Sequence, residues 1–95
     1  MCGIAGQISA DPNKIAANYP AYCRMQKSLA RRGPDQRGMY LHGHAALIHA
    51  RLAVVDLENG CQPMVLEQGG EKYILVYNGE LYNTPELHAQ LAALG

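Results

Sequence analysis

The sequence contains no tryptophan and no phenylalanine, so six tyrosines and the aliphatic side chains must fill any core. It also has no net charge, because eight basic residues balance eight acidic ones, and no field therefore favours nucleic acid or an anionic membrane. No apolar run approaches the ~18 residues that a membrane span requires. These absences leave a small molecule or another protein surface as the expected partner.

The sequence has only three cysteines, and their number indicates whether the protein lies in an oxidising or a reducing compartment. Cys2, Cys23 and Cys61 cannot all pair within one chain, and the apolar opening is too short and lacks the basic flank of a signal peptide. We therefore predict a cytoplasmic location, where thiols stay reduced. A length of 95 residues suits one small domain with a thin core.

The pattern of apolar residues predicts a strand-rich chain with one helix near each end. Residues 2–8 form an apolar run whose glycines would let another backbone or a ligand come close, and ADPN at 10–13 ends it. A helix of about three turns is predicted from Pro20 to the Arg31–Arg32 pair, with Cys23 as a core thiol. Residues 38–42 and 45–51 then read as a hairpin around Gly43 and His44.

Two further elements are predicted in the second half of the chain. Residues 72–78 form the strongest strand pattern and are expected to be buried on both faces. Thr84 is predicted to cap a helix that starts at Pro85, carries leucines on one stripe and stops at Gly95.

The opening MCGIAG raises the question whether Cys2 is a nucleophile. Removal of Met1 is favoured because the second residue is small, and it would place a free α-amino group beside the thiol. That amine, directly or through a water molecule, can accept the thiol proton during attack on a carbonyl. Position alone favours the simpler interpretation, in which Cys2 is a small buried apolar residue.

The stretch YNGE at 77–80 changes that balance. Asn-Gly is usually a tight turn, but the Asn78 side-chain amide and the Gly79 N–H can both donate to a developing oxyanion. Arg51 ends an apolar strand, and it is either a strand-end residue with its charge in water or a guanidinium aimed at a carboxylate. An amino-acid substrate would supply that carboxylate, and Glu80 would then meet its ammonium group. A nucleophile with an oxyanion hole indicates acyl transfer.

Metal binding is the other chemistry that the sequence suggests. The histidines and cysteines lack the paired CxxC or HxxxH spacing of a zinc site, so no metal is expected. The residues considered are His42, His44, His49 and His88 with the three cysteines.

Five motifs in order resemble the glutaminase domain of class II glutamine amidotransferases, closest to glutamine-hydrolysing asparagine synthetase. They are MCGIAG, RRGPD at 31–35, HARLAVVDL at 49–57, QPM at 62–64 and YNGELYN at 77–83. Each motif is weak alone, but together they cover nearly the whole chain. The resemblance implies that residues 1–95 are one partial glutaminase domain.

The resemblance implies an α+β fold of the N-terminal nucleophile hydrolase type, an αββα sandwich with antiparallel sheets of which only the N-terminal half is present. It also implies hydrolysis of glutamine to glutamate and ammonia through a glutamyl thioester. Carried over by motif, the catalytic residues are Cys2, Asn78 and Gly79, and the substrate-binding residues are Arg51, Val54, Asn78 and Glu80. Arg51 would hold the α-carboxylate and Glu80 the amino group, while RRGPD would be a structural turn near the site.

The implied role is to supply ammonia for ATP-dependent asparagine synthesis from aspartate. Glutamine is then the small-molecule substrate, and a synthetase domain or subunit accepts the ammonia; neither nucleic acid nor membrane is expected as a partner. ATP and Mg²⁺ are expected only in that synthetase domain, so no cofactor is expected in this segment. Two alternatives stay open: a non-catalytic fragment or interaction module that retains the motifs, and the glutaminase part of an amidotransferase with a different acceptor.

Overall fold

The computed structural model describes residues 2–53 and 60–95. In chain order the elements are β1 (Gly3–Ile8), α1 (Pro12–Ala17), α2 (Tyr19–Leu29), β2 (Gln36–His42), β3 (Ala45–Arg51), β4 (Met64–Gln68), β5 (Glu71–Leu75) and α3 (Thr84–Leu94). Among these residues the strands form a three-stranded sheet of order β1-β3-β2 and a two-stranded sheet of β4 and β5, both antiparallel. The mixture of helices and antiparallel sheets confirms the α+β class.

Strand β3 is the centre of the larger sheet: residues 45–51 pair with β2 and residues 45–50 pair with β1. The hairpin predicted between β2 and β3 is confirmed, with His42 opposite Ala45 and Gly43 at a φ of +56° in the turn. The close backbone approach predicted for β1 is also present, because a Cβ on Gly6 would overlap the main-chain carbonyl of Ala46. Glycine at position 6 therefore lets β1 and β3 pack without displacement.

Helices α1 and α2 cover one face of this sheet. Ile15 and Tyr22 from the helices pack on Ala46 and Ile48 of β3. The Tyr22 hydroxyl donates to Gln7 Oε1 on β1 over 2.6 Å, so the one large aromatic ring in this core has its polar end satisfied. Because side chains alternate along a strand, His49 and Arg51 lie on the opposite face from Ile48.

The helical part of the chain corrects two predictions. ADPN does not simply end the first strand: the Asp11 side chain accepts from the Asn13 N–H over 2.9 Å, Pro12 takes the first helical position, and α1 follows. The helix predicted from Pro20 is confirmed as α2, which ends at Leu29, but its Cys23 is exposed and is not a core thiol. The reason is rotational, since the neighbouring Tyr22 occupies the face that meets the sheet.

The predicted strand 72–78 is wrong in both extent and burial. Strand β5 ends at Leu75, and four of its five residues are exposed. Its sheet partner is β4, which the sequence did not predict, and the two are joined through Gly69 and Gly70 at φ of +63° and +80°. Positive φ at both turn residues is typical of the tight hairpin turns that match strand twist.

Helix α3 corrects the predicted cap. Asn83 is the residue that precedes the helix, while Thr84 is already helical and donates its hydroxyl to the Leu81 carbonyl over 2.8 Å. Gly95 follows the last helical residue at a φ of +109°, and its N–H donates to the Ala92 carbonyl over 3.3 Å. The predicted leucine stripe is largely open to solvent, as the 84% exposure of Leu94 shows. Among the described residues no helix is long and apolar enough to cross a membrane.

Candidate active site

A cleft of about 340 Å³ lies where the start of β1, the end of β3 and the segments flanking the β4–β5 hairpin come together. Its walls are formed by Cys2, Arg51, Leu52, Gly60, Gln62, Met64, Tyr77, Asn78, Gly79 and Glu80. The structure thus brings five of the six predicted site residues to one place. The sixth, Val54, lies outside the described residues.

Cys2 is half-buried at the cleft wall, immediately before β1. Its Sγ accepts from the Leu52 N–H at 3.4 Å and lies 3.8 Å from the Leu52 carbonyl oxygen, to which the thiol can donate. On the other side, Arg32 Nε donates to the Cys2 carbonyl over 3.3 Å. Cys2 is therefore held between the end of β3 and the RRGPD turn, with its thiol beside open space and not enclosed in the core.

Arg51 is only 5% exposed, which excludes the simple interpretation of a strand-end side chain with its charge in water. Its Nη1 donates to Gln36 Oε1 over 2.7 Å. The same oxygen accepts from the Cys61 thiol over 3.3 Å, so Cys61 contacts the group that holds this guanidinium. A buried, oriented guanidinium on a cleft wall is suited to binding a carboxylate.

The RRGPD turn supports the end of β3, as predicted for a structural turn near the site. Pro34 forms an isolated parallel bridge with Arg51, and the Asp35 N–H donates to the Arg51 carbonyl over 3.0 Å. The Asp35 carboxylate accepts from the Ala53 N–H over 2.8 Å. These contacts fix the main chain on both sides of Leu52, the residue that contacts the Cys2 thiol.

The Asn-Gly pair follows β5 and forms the opposite wall. Asn78 is half-buried, whereas Gly79 and Glu80 are exposed at the rim. The ring of Tyr77 packs over Gly79, because a Cβ there would lie 2.8 Å from the Tyr77 hydroxyl. A residue larger than glycine at position 79 would therefore require the end of the Tyr77 side chain to shift.

Two polar side chains near this pair were not predicted to belong to the site. Gln62 Oε1 accepts from the Tyr77 N–H over 2.7 Å, and His49 Nε2 lies 3.2 Å from the Tyr77 carbonyl oxygen. The sequence suggested His49 only as a possible metal ligand and a motif residue, and Gln62 only as part of the QPM motif. His49 and Arg51 are two residues apart on one strand, so their side chains lie on the same face. This spacing was the signal that could have placed His49 beside the site.

The environment of His49 keeps its ring neutral. Only 1% of the residue is exposed, and this burial lowers its pKa; the positive charge of Arg51 lowers it further, while the hydrogen bond to Tyr77 acts in the opposite direction. A carbonyl oxygen can only accept, so Nε2 carries the proton and donates to Tyr77. Within residues 2–53 and 60–95 no three potential metal ligands come together.

Comparison with known families assigns the chain. A family model described as a glutamine amidotransferase domain matches residues 1–95. The chain belongs to the glutamine amidotransferase domain family. It is homologous to the N-terminal glutaminase part of glutamine-hydrolysing asparagine synthetases.

Individual relatives of this amidotransferase domain carry the synthetase name. Asparagine synthetase [glutamine-hydrolyzing] 3 of Bacillus subtilis (strain 168) is 41% identical over 95 residues, which is all of this chain and 15% of that protein. A probable asparagine synthetase of Dictyostelium discoideum is 38% identical over 95 residues, and the nodule asparagine synthetase of Pisum sativum 37% over 91, covering 16% and 15% of those proteins. The chain thus spans about 15% of the length of the curated relatives that it matches.

Proposed function

We propose that this amidotransferase domain hydrolyses glutamine to glutamate and ammonia through a thioester on Cys2. The observation that carries the proposal is the cleft itself, which is bordered by a thiol, a buried guanidinium and an Asn-Gly pair. A nucleophile that shares one cleft with two neutral hydrogen-bond donors has the composition of an acyl-transfer site.

The reaction follows from the chemistry of these groups. Once Met1 is removed, the α-amine of Cys2 accepts the thiol proton as Sγ attacks the side-chain amide carbon of glutamine. The Asn78 amide and the Gly79 N–H donate to the oxyanion of the tetrahedral intermediate. The amine then returns the proton to the leaving nitrogen as the C–N bond breaks and ammonia departs. Attack by water on the thioester, with the reverse proton transfer, releases glutamate and restores the thiol.

Substrate selection rests on the two charged residues of the cleft. In this proposal the Arg51 guanidinium binds the α-carboxylate of glutamine, and the Glu80 carboxylate at the rim binds its α-ammonium group. Glu80 is exposed, so its contribution to affinity is the smaller of the two. Val54 is proposed to line the same pocket by its place in the motif.

The wider role follows from the names of the relatives. We propose that residues 1–95 form the first portion of a glutaminase domain that supplies ammonia, in the cytoplasm, to a synthetase domain or subunit making asparagine from aspartate. In this proposal ATP and Mg²⁺ bind to that synthetase portion. None of the steps described above depends on them.

Intact-mass and ammonia measurements test the proposal together. We expect the purified chain to lack Met1, to release ammonia from glutamine, and to gain one adduct at Cys2 from a glutamine-like diazo ketone, which alkylates sulfur with loss of N₂. Cys2→Ala should abolish both the release of ammonia and the formation of the adduct. Cys23→Ala, a matched change at an exposed thiol on α2, leaves both intact. Retention of Met1, or a folded protein without an adduct, would support the non-catalytic alternative.

A further inference from the structure

We infer that His49 and Gln62 are positioning residues that fix the oxyanion donors by holding both main-chain polar groups of Tyr77. The inference rests on the proposed function, because it assigns these side chains to the Asn78–Gly79 pair.

The hydrogen bonds define the arrangement. The Tyr77 N–H donates to Gln62 Oε1 over 2.7 Å, and the Tyr77 carbonyl accepts from His49 Nε2 over 3.2 Å. Strand β5 ends at Leu75, so its sheet ladder does not reach Tyr77. Two side chains distant in sequence therefore supply the hydrogen bonds that a neighbouring strand supplies elsewhere.

Holding the Tyr77 carbonyl also orients the next residue. The Tyr77 carbonyl and the Asn78 nitrogen belong to one planar peptide unit. The direction of the carbonyl therefore fixes the orientation of the peptide plane that precedes the Asn78 Cα. These two hydrogen bonds restrain the main chain immediately before the Asn78–Gly79 pair. Oxyanion donors act through preorganisation, and a displacement of 1 Å can cost about a hundredfold in rate.

Both holding residues are themselves fixed by the larger sheet. His49 lies in β3, which is paired on both sides, and is buried. Gln62 approaches β2 so closely that a Cβ on Gly38 would overlap the Gln62 main-chain carbonyl. The rigidity of the sheet is thereby transmitted to the oxyanion segment through two side chains.

Kinetics of matched variants test the inference in the full chain. Gln62→Met removes the acceptor at similar length, and His49→Leu removes the donor. We expect each to lower kcat for ammonia release about ten- to a hundredfold while KM for glutamine stays within about twofold, because the donors act on the transition state. His49→Gln keeps a neutral N–H donor and should restore most of kcat. Gln68→Met on the exposed strand β4 is the control and should leave both constants unchanged.

Two readouts separate positioning from loss of fold. Amide hydrogen exchange at Tyr77, Asn78 and Gly79 should accelerate in Gln62→Met while exchange in β3 does not. Alkylation of Cys2 by iodoacetamide, followed by peptide mass spectrometry, should proceed at the parent rate, whereas labelling by the diazo ketone slows.

Three outcomes would overturn the inference: an unchanged kcat in Gln62→Met, a loss seen only in KM, or unchanged exchange at residues 77–79. If the parent chain releases no ammonia and forms no adduct, the proposed function fails instead. The exchange measurement then decides by itself whether the two side chains hold Tyr77.

Discussion

At the residue scale, Arg51 shows how a buried charge on a cleft wall is held in a fixed orientation. A guanidinium has five N–H donors in a rigid plane, and Nη1 is directed to Gln36. The Cys61 thiol shares that oxygen, and the RRGPD turn fixes the main chain of Arg51. The side chain is thereby oriented in advance, which would reduce the ordering that the proposed binding of a carboxylate requires.

Replacement of Arg51 by lysine should weaken glutamine binding. Lysine keeps the positive charge but lacks the planar fork that pairs with a carboxylate at two points. We expect Arg51→Lys to raise KM by about ten- to a hundredfold, the range for loss of a charge-assisted hydrogen bond of ~1.5–3 kcal/mol. Steady-state ammonia release measures KM and kcat. Arg24→Lys, at an exposed position of α2, is the control. An unchanged KM would remove Arg51 from the binding site.

The sequence pointed to the residues proposed to contact the substrate and missed the two side chains that hydrogen-bond to the main chain beside them. Cys2, Arg51 and the Asn78–Gly79 pair could be placed by chemical type and motif. His49 and Gln62 could not, because their partner in both cases is the backbone of Tyr77, 28 and 15 residues away. A side chain that hydrogen-bonds to the backbone of a distant residue does not restrict the type of that residue. No sequence pattern therefore records the contact.

At the element scale, the order and type of most elements could be predicted, and their surroundings could not. Helix α1 was missed because Asp-Pro reads as a turn as readily as a helix start, and the side-chain cap on Asn13 decides between them. Strand β5 was expected to be buried because its residues are apolar. Burial depends on what covers a strand, and only β4 pairs with it among the described residues.

The connection between α2 and β2 contacts the end of β3, and this contact depends on Gly33. The Gly33 N–H donates to the Leu29 carbonyl over 3.3 Å, and a Cβ on this residue would overlap the main chain of Ala50 and Arg51. Backbone atoms cannot move aside as a flexible side chain can. Gly33 is therefore required for the turn to lie against the end of β3, where Arg51 and Leu52 enter the cleft.

Gly33→Ala should destabilise the fold and disturb the cleft together. Overpacking of this kind costs about 1–3 kcal/mol, so the urea midpoint should fall by a corresponding amount with little change in slope. Lys27→Ala, at an exposed position on α2, is the control and should stay close to the parent stability. A Gly33→Ala protein of parent stability would show that the turn can shift away from β3 without cost.

At the scale of the whole molecule, the two sheets differ in cover. The larger sheet has α1 and α2 on one face, with Tyr22 and Ile48 fully buried. The β4–β5 hairpin exposes most of its apolar side chains, among them Leu66 at 57% and Tyr73 at 55%. An isolated two-stranded hairpin is marginally stable in water, so the hydrogen bonds at Tyr77 are an important link between the hairpin and the larger sheet.

This difference predicts that the molecule does not open as one unit. Ladder amides of β1, β2 and β3 should exchange with the free energy of global unfolding, whereas those of β4 and β5 should exchange through local opening of lower free energy. Native-state hydrogen exchange in low urea distinguishes them, because local opening exposes little surface and so depends weakly on urea. Gln62→Met should lower the opening free energy of the hairpin and leave that of β3 unchanged. Equal opening free energies in both sheets would show instead that the hairpin folds and unfolds cooperatively with the larger sheet.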